Sequence, residues 1–202
     1  MEIQYFNEQI PYIIIDDFYT LEEQNEMMVE LDYLTEPRRL ILPFEDNYSA
    51  GSMDDQLKNV PCQYLDNFYK NRDHSSILQI TEKLFMNDGQ LINNHPHWAF
   101  SITEINLHWT HVLYYEEEQE YKPHWDSARF TALTYFYNEP KRFSGGDLVF
   151  DDYDIEIECI NNRVIVFPSI LRHASTPVKM VGNRDQQKNG KFCITQFLDH
   201  QE

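Results

Sequence analysis

From Trp98 onward the chain breaks into short apolar runs at 99–115, 129–138, 146–150, 154–159, 163–168 and 191–198. Turn signals separate them, among them Glu139-Pro140, Gly145-Gly146, Asn161-Asn162 and Gly190. Proline withholds a backbone donor and glycine tolerates left-handed backbone, so both interrupt a strand. Closely spaced strands without crossover helices between them point to a sandwich or a barrel. No internal repeat or low-complexity tract competes with that reading.

The first half reads differently. Pro11–Phe18 is a short buried strand ending in Asp16-Asp17. Thr20 then stands as a helix N-cap, and Glu23 three residues later completes a capping box. The helix Leu21–Leu34 follows, with Met27, Met28 and Leu31 as its apolar stripe. Residues 35–75, punctuated by Pro37, Pro43, Gly51 and Pro61, read as loops with a short helix near 62–70. Ser76–Phe85 reads as a second helix with Ile77, Ile80 and Leu84 on one face, ended by Asn87-Asp88-Gly89. The fold class expected is mainly β with N-terminal helices (α+β). A length of 202 residues fits one domain, 1–202, with a helical part over about 1–97 and a β core over about 98–202.

Composition narrows the partners. With 16 Lys and Arg against 34 Asp and Glu, the formal charge of −18 disfavours nucleic acid and anionic membrane. It admits either a merely solubilising surface or attraction of a cationic substrate such as a basic peptide. Cys62, Cys159 and Cys193 lack metal-ligand spacing and read as free thiols. With no basic leader segment and no long apolar run, a soluble cytoplasmic protein is expected.

His124-Trp125-Asp126 is an H-x-D at the end of a strand-like run. Side chains at i and i+2 of an extended segment share a side, so one imidazole and one carboxylate can grip one ion. His173, just after the apolar strand Arg163–Pro168, supplies a third donor. Two His and one carboxylate make the facial triad of non-haem iron(II) oxygenases. An isolated H-x-D is weak, since eight His and 34 acids produce chance pairs. Its context is specific. In order, the chain shows Tyr115, Tyr121-Lys122-Pro123-His124-Trp125-Asp126, Arg129, Gly145-Gly146-Asp147-Leu148-Val149-Phe150, Phe167-Pro168-Ser169, His173 and Lys191. The stretch Tyr115–Leu198 thereby resembles the catalytic core of prolyl 4-hydroxylases and related 2-oxoglutarate/iron(II) dioxygenases.

That resemblance implies a double-stranded β-helix, or jelly roll, with helices packed outside. It implies Fe(II), 2-oxoglutarate and dioxygen, with ascorbate as an auxiliary reductant. His124, Asp126 and His173 would be the catalytic metal ligands. The far carboxylate of 2-oxoglutarate needs a buried cation, usually placed about ten residues after the second His; here the tenth residue is Asn183. Lys179, Arg184, Lys188 and Lys191 compete. Lys191 opens the last strand, and period two puts Cys193, Thr195 and Phe197 on its face. Gly182–Gly190 then reads as a lengthened loop with Arg184 and Lys188 solvated. Tyr115 is placed to bond the same carboxylate, with Tyr114 as the neighbouring alternative, and Thr134 is expected to line the pocket.

The activity implied is hydroxylation of an unactivated C–H coupled to decarboxylation of 2-oxoglutarate, since related halogenases lack the carboxylate that Asp126 provides. A prolyl residue of a peptide or protein is the leading substrate. A free amino acid or other small molecule, or a non-catalytic jelly-roll binding module, are the alternatives. Only Ser127 and Ala128 separate Asp126 from Arg129, so a lid must come from residues 35–75 or 182–190. Arg129 would hold a peptide backbone at the mouth, or pair with a surface acid. His111 shares the face of Tyr115 and would touch co-substrate or target, or else be a core histidine. His95 and His97 read as turn residues, His108 and His111 as facing opposite ways, and His74 and His200 as exposed.

Overall fold

The computed structural model describes residues 1–45, 57–85, 90–101, 105–182 and 188–200. Strand β1 (Glu2–Phe6) and strand β2 (Tyr12–Asp16) form a hairpin that leads into helix α1 (Leu21–Leu34). The capping box forms: Glu23 N donates to Thr20 Oγ1, and Thr20 N donates to Glu23 Oε2. Next come β3 (Cys62–Tyr64), the single turn α2 (Leu65–Phe68), α3 (Ser76–Thr81) and α4 (Gln90–Asn93). The helix expected near 62–70 is thus half strand. The one expected over Ser76–Phe85 tightens to 3₁₀ geometry at Glu82–Leu84, and its expected stop at 87–89 lies outside the described residues.

The β region holds β4 (Leu107–Tyr115), β5 (Tyr121–His124), β6 (Phe130–Phe136), β7 (Phe143–Ser144), β8 (Leu148–Phe150), β9 (Ile155–Ile157), β10 (Arg163–Pro168), β11 (His173–Ser175), β12 (Lys179–Met180) and β13 (Lys191–Asp199). Ala99 and Phe100, expected to open the first run as strand, belong to a 3₁₀ turn over Trp98–Phe100. Every strand pairing between these elements is antiparallel. The seven-stranded sheet runs β1-β2-β10-β6-β13-β4-β3 and faces a four-stranded sheet, β5-β11-β8-β9. Two sheets folded over each other in this order are the expected double-stranded β-helix.

The large sheet is buried on both faces. On β6, Phe130, Ala132 and Phe136 face the helices, while Leu133 and Tyr135 face the barrel interior. On β2, Ile13 and Ile15 pack outward under the helices, and Tyr12 and Ile14 pack inward. Two-sided burial explains why these runs read as almost uniformly apolar. Met27, Leu31 and Leu34 of α1 complete the outer layer, so its stripe is core, as expected. Among the described residues, no helix is long and apolar enough to cross a membrane.

Candidate metal centre and co-substrate pocket

Antiparallel pairing of β5 with β11 sets His124 directly opposite His173. Two residues on from His124, Asp126 turns back toward both, held by its N–H donating to the Ser169 carbonyl at 3.1 Å. His124 Nε2 lies 3.7 Å from Asp126 Oδ1, and His173 Nε2 lies 3.4 Å from Asp126 Oδ2. The three donor atoms all fall within 4.8 Å of one another.

Neighbouring groups prepare each donor. His124 Nδ1 donates to the Lys122 carbonyl at 2.7 Å, and His173 Nδ1 to the Leu171 carbonyl at 2.9 Å. Both rings therefore present a bare Nε2, the tautomer that a metal ligand needs. Burial, with His173 alongside, pushes the His124 imidazole down to about 4, so it is neutral near pH 7. Burial alone would raise the Asp126 carboxyl. Its contacts with His173, His124 and Thr131 outweigh that and hold it below its usual range. The Asp126 side chain is only 9% exposed. Thr131 Oγ1 donates to Asp126 Oδ2 at 2.6 Å and also lies 2.8 Å from Ser169 Oγ. The serine of Phe167-Pro168-Ser169 thus braces the threonine that orients the carboxylate. Thr131 escaped the sequence reading because nothing local ties it to Asp126. The Tyr121 ring stacks on His124 at 3.7 Å between centroids.

A narrow pocket runs inward from this trio. Lys191 closes its far end and is 1% exposed. Its Nζ donates to the Gly146 carbonyl at 2.6 Å and to Ser175 Oγ at 2.9 Å. It also lies over the rings of Tyr115 (4.1 Å) and Tyr135 (4.8 Å). Among the described residues, no carboxylate comes within 4 Å of this ammonium. The Gly145-Gly146 pair makes the arrangement possible. Gly146 has φ +72°, and a Cβ there would sit 3.0 Å from Lys191 Cδ; a Cβ on Gly145 would sit 2.2 Å from the Pro177 carbonyl oxygen.

Cys193, Thr195 and Phe197 line the pocket with Lys191, and His111 and Leu113 line it with Tyr115. Tyr114 faces the helices instead, donating to nothing in the pocket and packing on Phe192. Burial raises the Tyr115 hydroxyl well above its ordinary value, which keeps it protonated as a donor. Thr134 corrects the expectation: it lies on the opposite face of β6, beside Tyr19 of the helical layer. The pocket-lining residues of β6 are Leu133 and Tyr135, one step out of phase. Of the competing cations, Lys179 is exposed on β12. Lys188 is not solvated as expected but pairs with Asp32 of α1 at 3.3 Å. Arg184 lies outside the described residues.

At the mouth, Arg129 pairs with Asp199 at 3.2 Å, the plainer of the two expectations for it. Tyr64, Asp66 and Asn67 form one wall there, so part of 35–75 does border the site; residues 46–56 and 183–187 lie outside the described residues. His108 turns away from His111 toward Arg72 and Phe85. His95 is buried rather than a simple turn residue, bonding the Phe6 carbonyl at 2.8 Å and stacking on Phe100.

Two imidazole nitrogens and one carboxylate on one side of a cavity fit a first-row divalent ion such as iron(II). A buried ammonium with only neutral partners fits an incoming carboxylate, because an unpaired buried charge is costly. Residues 110–199 match the model of the 2OG-Fe(II) oxygenase superfamily. No curated protein matches the sequence. Among solved structures, a Pseudomonas putida prolyl-4-hydroxylase is 15% identical over 95% of this chain and 93% of its own, with a TM-score of 0.63. A Trichoplax adhaerens prolyl hydroxylase, solved with a hypoxia inducible factor peptide fragment, is 13% identical over 93% and 83%, with a TM-score of 0.63. A viral collagen prolyl hydroxylase from Paramecium Bursaria Chlorella virus-1 is 16% identical over 93% and 94%, with a TM-score of 0.56. The chain carries a 2OG-Fe(II) oxygenase domain on the prolyl hydroxylase-like fold. It is a 2-oxoglutarate-dependent, non-haem iron dioxygenase.

Proposed function

We propose that the chain hydroxylates an unactivated C–H of a prolyl residue in a peptide or protein, with ascorbate as an auxiliary reductant. His124, Asp126 and His173 would hold iron(II). Lys191, with Tyr115 and Thr195 beside it, would hold the far carboxylate of 2-oxoglutarate. The observation that carries this reading is one pocket with a three-donor trio at one end and a carboxylate-free buried ammonium at the other. When bound, the metal supplies dioxygen activation: 2-oxoglutarate, O₂ and R–H become succinate, CO₂ and R–OH.

The chain's own residues fix the geometry. Lys191 attracts the distal carboxylate and sets how far the keto acid end reaches toward the trio. Tyr115 keeps its proton and donates to that carboxylate. Leu113, Leu133 and Leu148 keep the inner walls dry, which strengthens every charge interaction inside. Thr131 holds Asp126 so that its carboxylate faces both imidazoles. The preference for a prolyl target draws support from the prolyl hydroxylases that share the fold. The chain would work as one domain, since the helices pack on the sheet whose other face lines the pocket.

The test is stoichiometric. Purified chain with iron(II) and 2-oxoglutarate should form succinate, faster when proline-containing peptides are added, and the peptide should gain one oxygen by mass. Asp126→Ala should lose manganese(II) binding and succinate formation together. Retention of full turnover by that variant would refute the trio.

A further inference from the structure

Outside the trio the pocket opens into a second, larger cavity. The two share His111, Tyr121, Asp126 and Phe197, so whatever fills the outer one lies against the metal centre. Its walls are aromatic and acidic. Trp109 and Trp125 are 47% and 59% exposed there. Asp66 and Asp199 add carboxylates, and no Lys or Arg is among the lining residues. Asp66 is spoken for on both oxygens, by Arg72 and by the Thr110 N–H. Asp199 differs: Arg129 Nε and the His200 N–H both fall on Oδ1.

Chemistry selects the occupant. Indole faces carry the negative side of the ring quadrupole, so they attract ammonium and guanidinium groups and repel anions. The Asp199 carboxylate adds to that attraction. The charge of −18 steers cationic partners toward the chain and anionic ones away. The cavity holds about 660 Å³, room for a long basic side chain and its neighbours.

Resting on the hydroxylase reading above, we infer that the outer cavity binds a basic peptide segment. A lysine or arginine near the hydroxylated residue seats its charge against Trp109, Trp125 and Asp199. Trp125 lies between two proposed metal ligands in sequence, so the bound cation sits within a few residues of the target carbon. Arg129 then tempers the site by occupying Asp199, rather than gripping the peptide itself.

The experiment uses the full chain loaded with manganese(II) and 2-oxoglutarate. Three short peptides share a central proline and differ only in flanking residues: lysine, serine or glutamate. Their affinities are read from tryptophan fluorescence at low and high salt. The lysine peptide should bind about tenfold tighter than the serine one, and the glutamate peptide weakest, with the spread shrinking in high salt. Asp199→Asn should cut the lysine preference several-fold, and Arg129→Gln should raise it by uncovering the same carboxylate. Equal affinities for the three peptides on a chain that binds manganese(II) and 2-oxoglutarate would overturn this inference and leave the hydroxylase reading standing. So would a fall in lysine preference in Arg129→Gln. A chain that binds neither manganese(II) nor 2-oxoglutarate sinks both.

Discussion

Replacing Lys191 with Met separates binding from folding. In the protein without co-substrate, the ammonium has two neutral acceptors, the Gly146 carbonyl and Ser175 Oγ, and two aromatic faces, but no carboxylate within salt-bridge reach among the described residues. Exchanging it for an apolar chain of similar length removes the desolvation cost of a buried charge. It also leaves the Gly146 carbonyl without this donor, at about 1–3 kcal/mol. The effects oppose, so Lys191→Met should shift unfolding stability by less than about 2 kcal/mol either way. Co-substrate binding has no such compensation. Leaving the 2-oxoglutarate carboxylate buried without its cation costs about 2–5 kcal/mol, roughly thirty- to four-thousand-fold in affinity. Calorimetric titration of 2-oxoglutarate into manganese(II)-loaded protein measures one quantity, and urea unfolding of the metal-free protein the other. Lys179→Met, on the exposed β12, is the control. An affinity within threefold of the parent would refute the clamp. A stability loss as large as the binding loss would make Lys191 a structural prop instead.

Thr131→Val keeps shape but removes the hydroxyl that donates to Asp126 and contacts Ser169. Manganese(II) affinity, followed by electron paramagnetic resonance, should fall about 10–100-fold, and an unchanged affinity would show that Asp126 needs no brace. Gly146→Ala puts a methyl 3.0 Å from Lys191 Cδ and 3.1 Å from Val178 Cγ2 at φ +72°. It should cost about 1–3 kcal/mol in urea unfolding and weaken 2-oxoglutarate binding as Lys191 shifts; parent-like values for both would contradict the packing described. Burial, then Arg72, pushes the His108 imidazole from 6.5 down to about 4. The unfolded chain therefore takes up this proton first, and the folded state loses stability as pH falls from 6.5 through about 4. His108→Gln should show a shallower decline of urea midpoint over that window, and identical slopes would count against the shift.

The sequence by itself determined whatever depends on neighbours along one strand. An i, i+2 spacing puts His124 and Asp126 on one side, and period two groups Lys191 with Cys193 and Thr195, or Tyr115 with His111, whatever the rest of the chain does. The Thr20–Glu23 box needs only four residues, and it formed as read. Pairing across strands belongs to the tertiary structure alone. The phase of β6 could not be read from a run buried on both faces, since Thr134 and Tyr135 are equally enclosed; neighbouring β10 and β13 decide that Tyr135 points inward. Thr131 reaches Asp126, and Ser169 reaches Thr131, only because β6 and β10 lie side by side. Lys188 looked solvated because its partner, Asp32, is 156 residues away on α1. The outer cavity joins residues of β3, α2, β4 and β13, and its acidic, aromatic character exists in no single segment. Local periodicity constrains directions, while contacts between distant segments form only when the whole sheet closes.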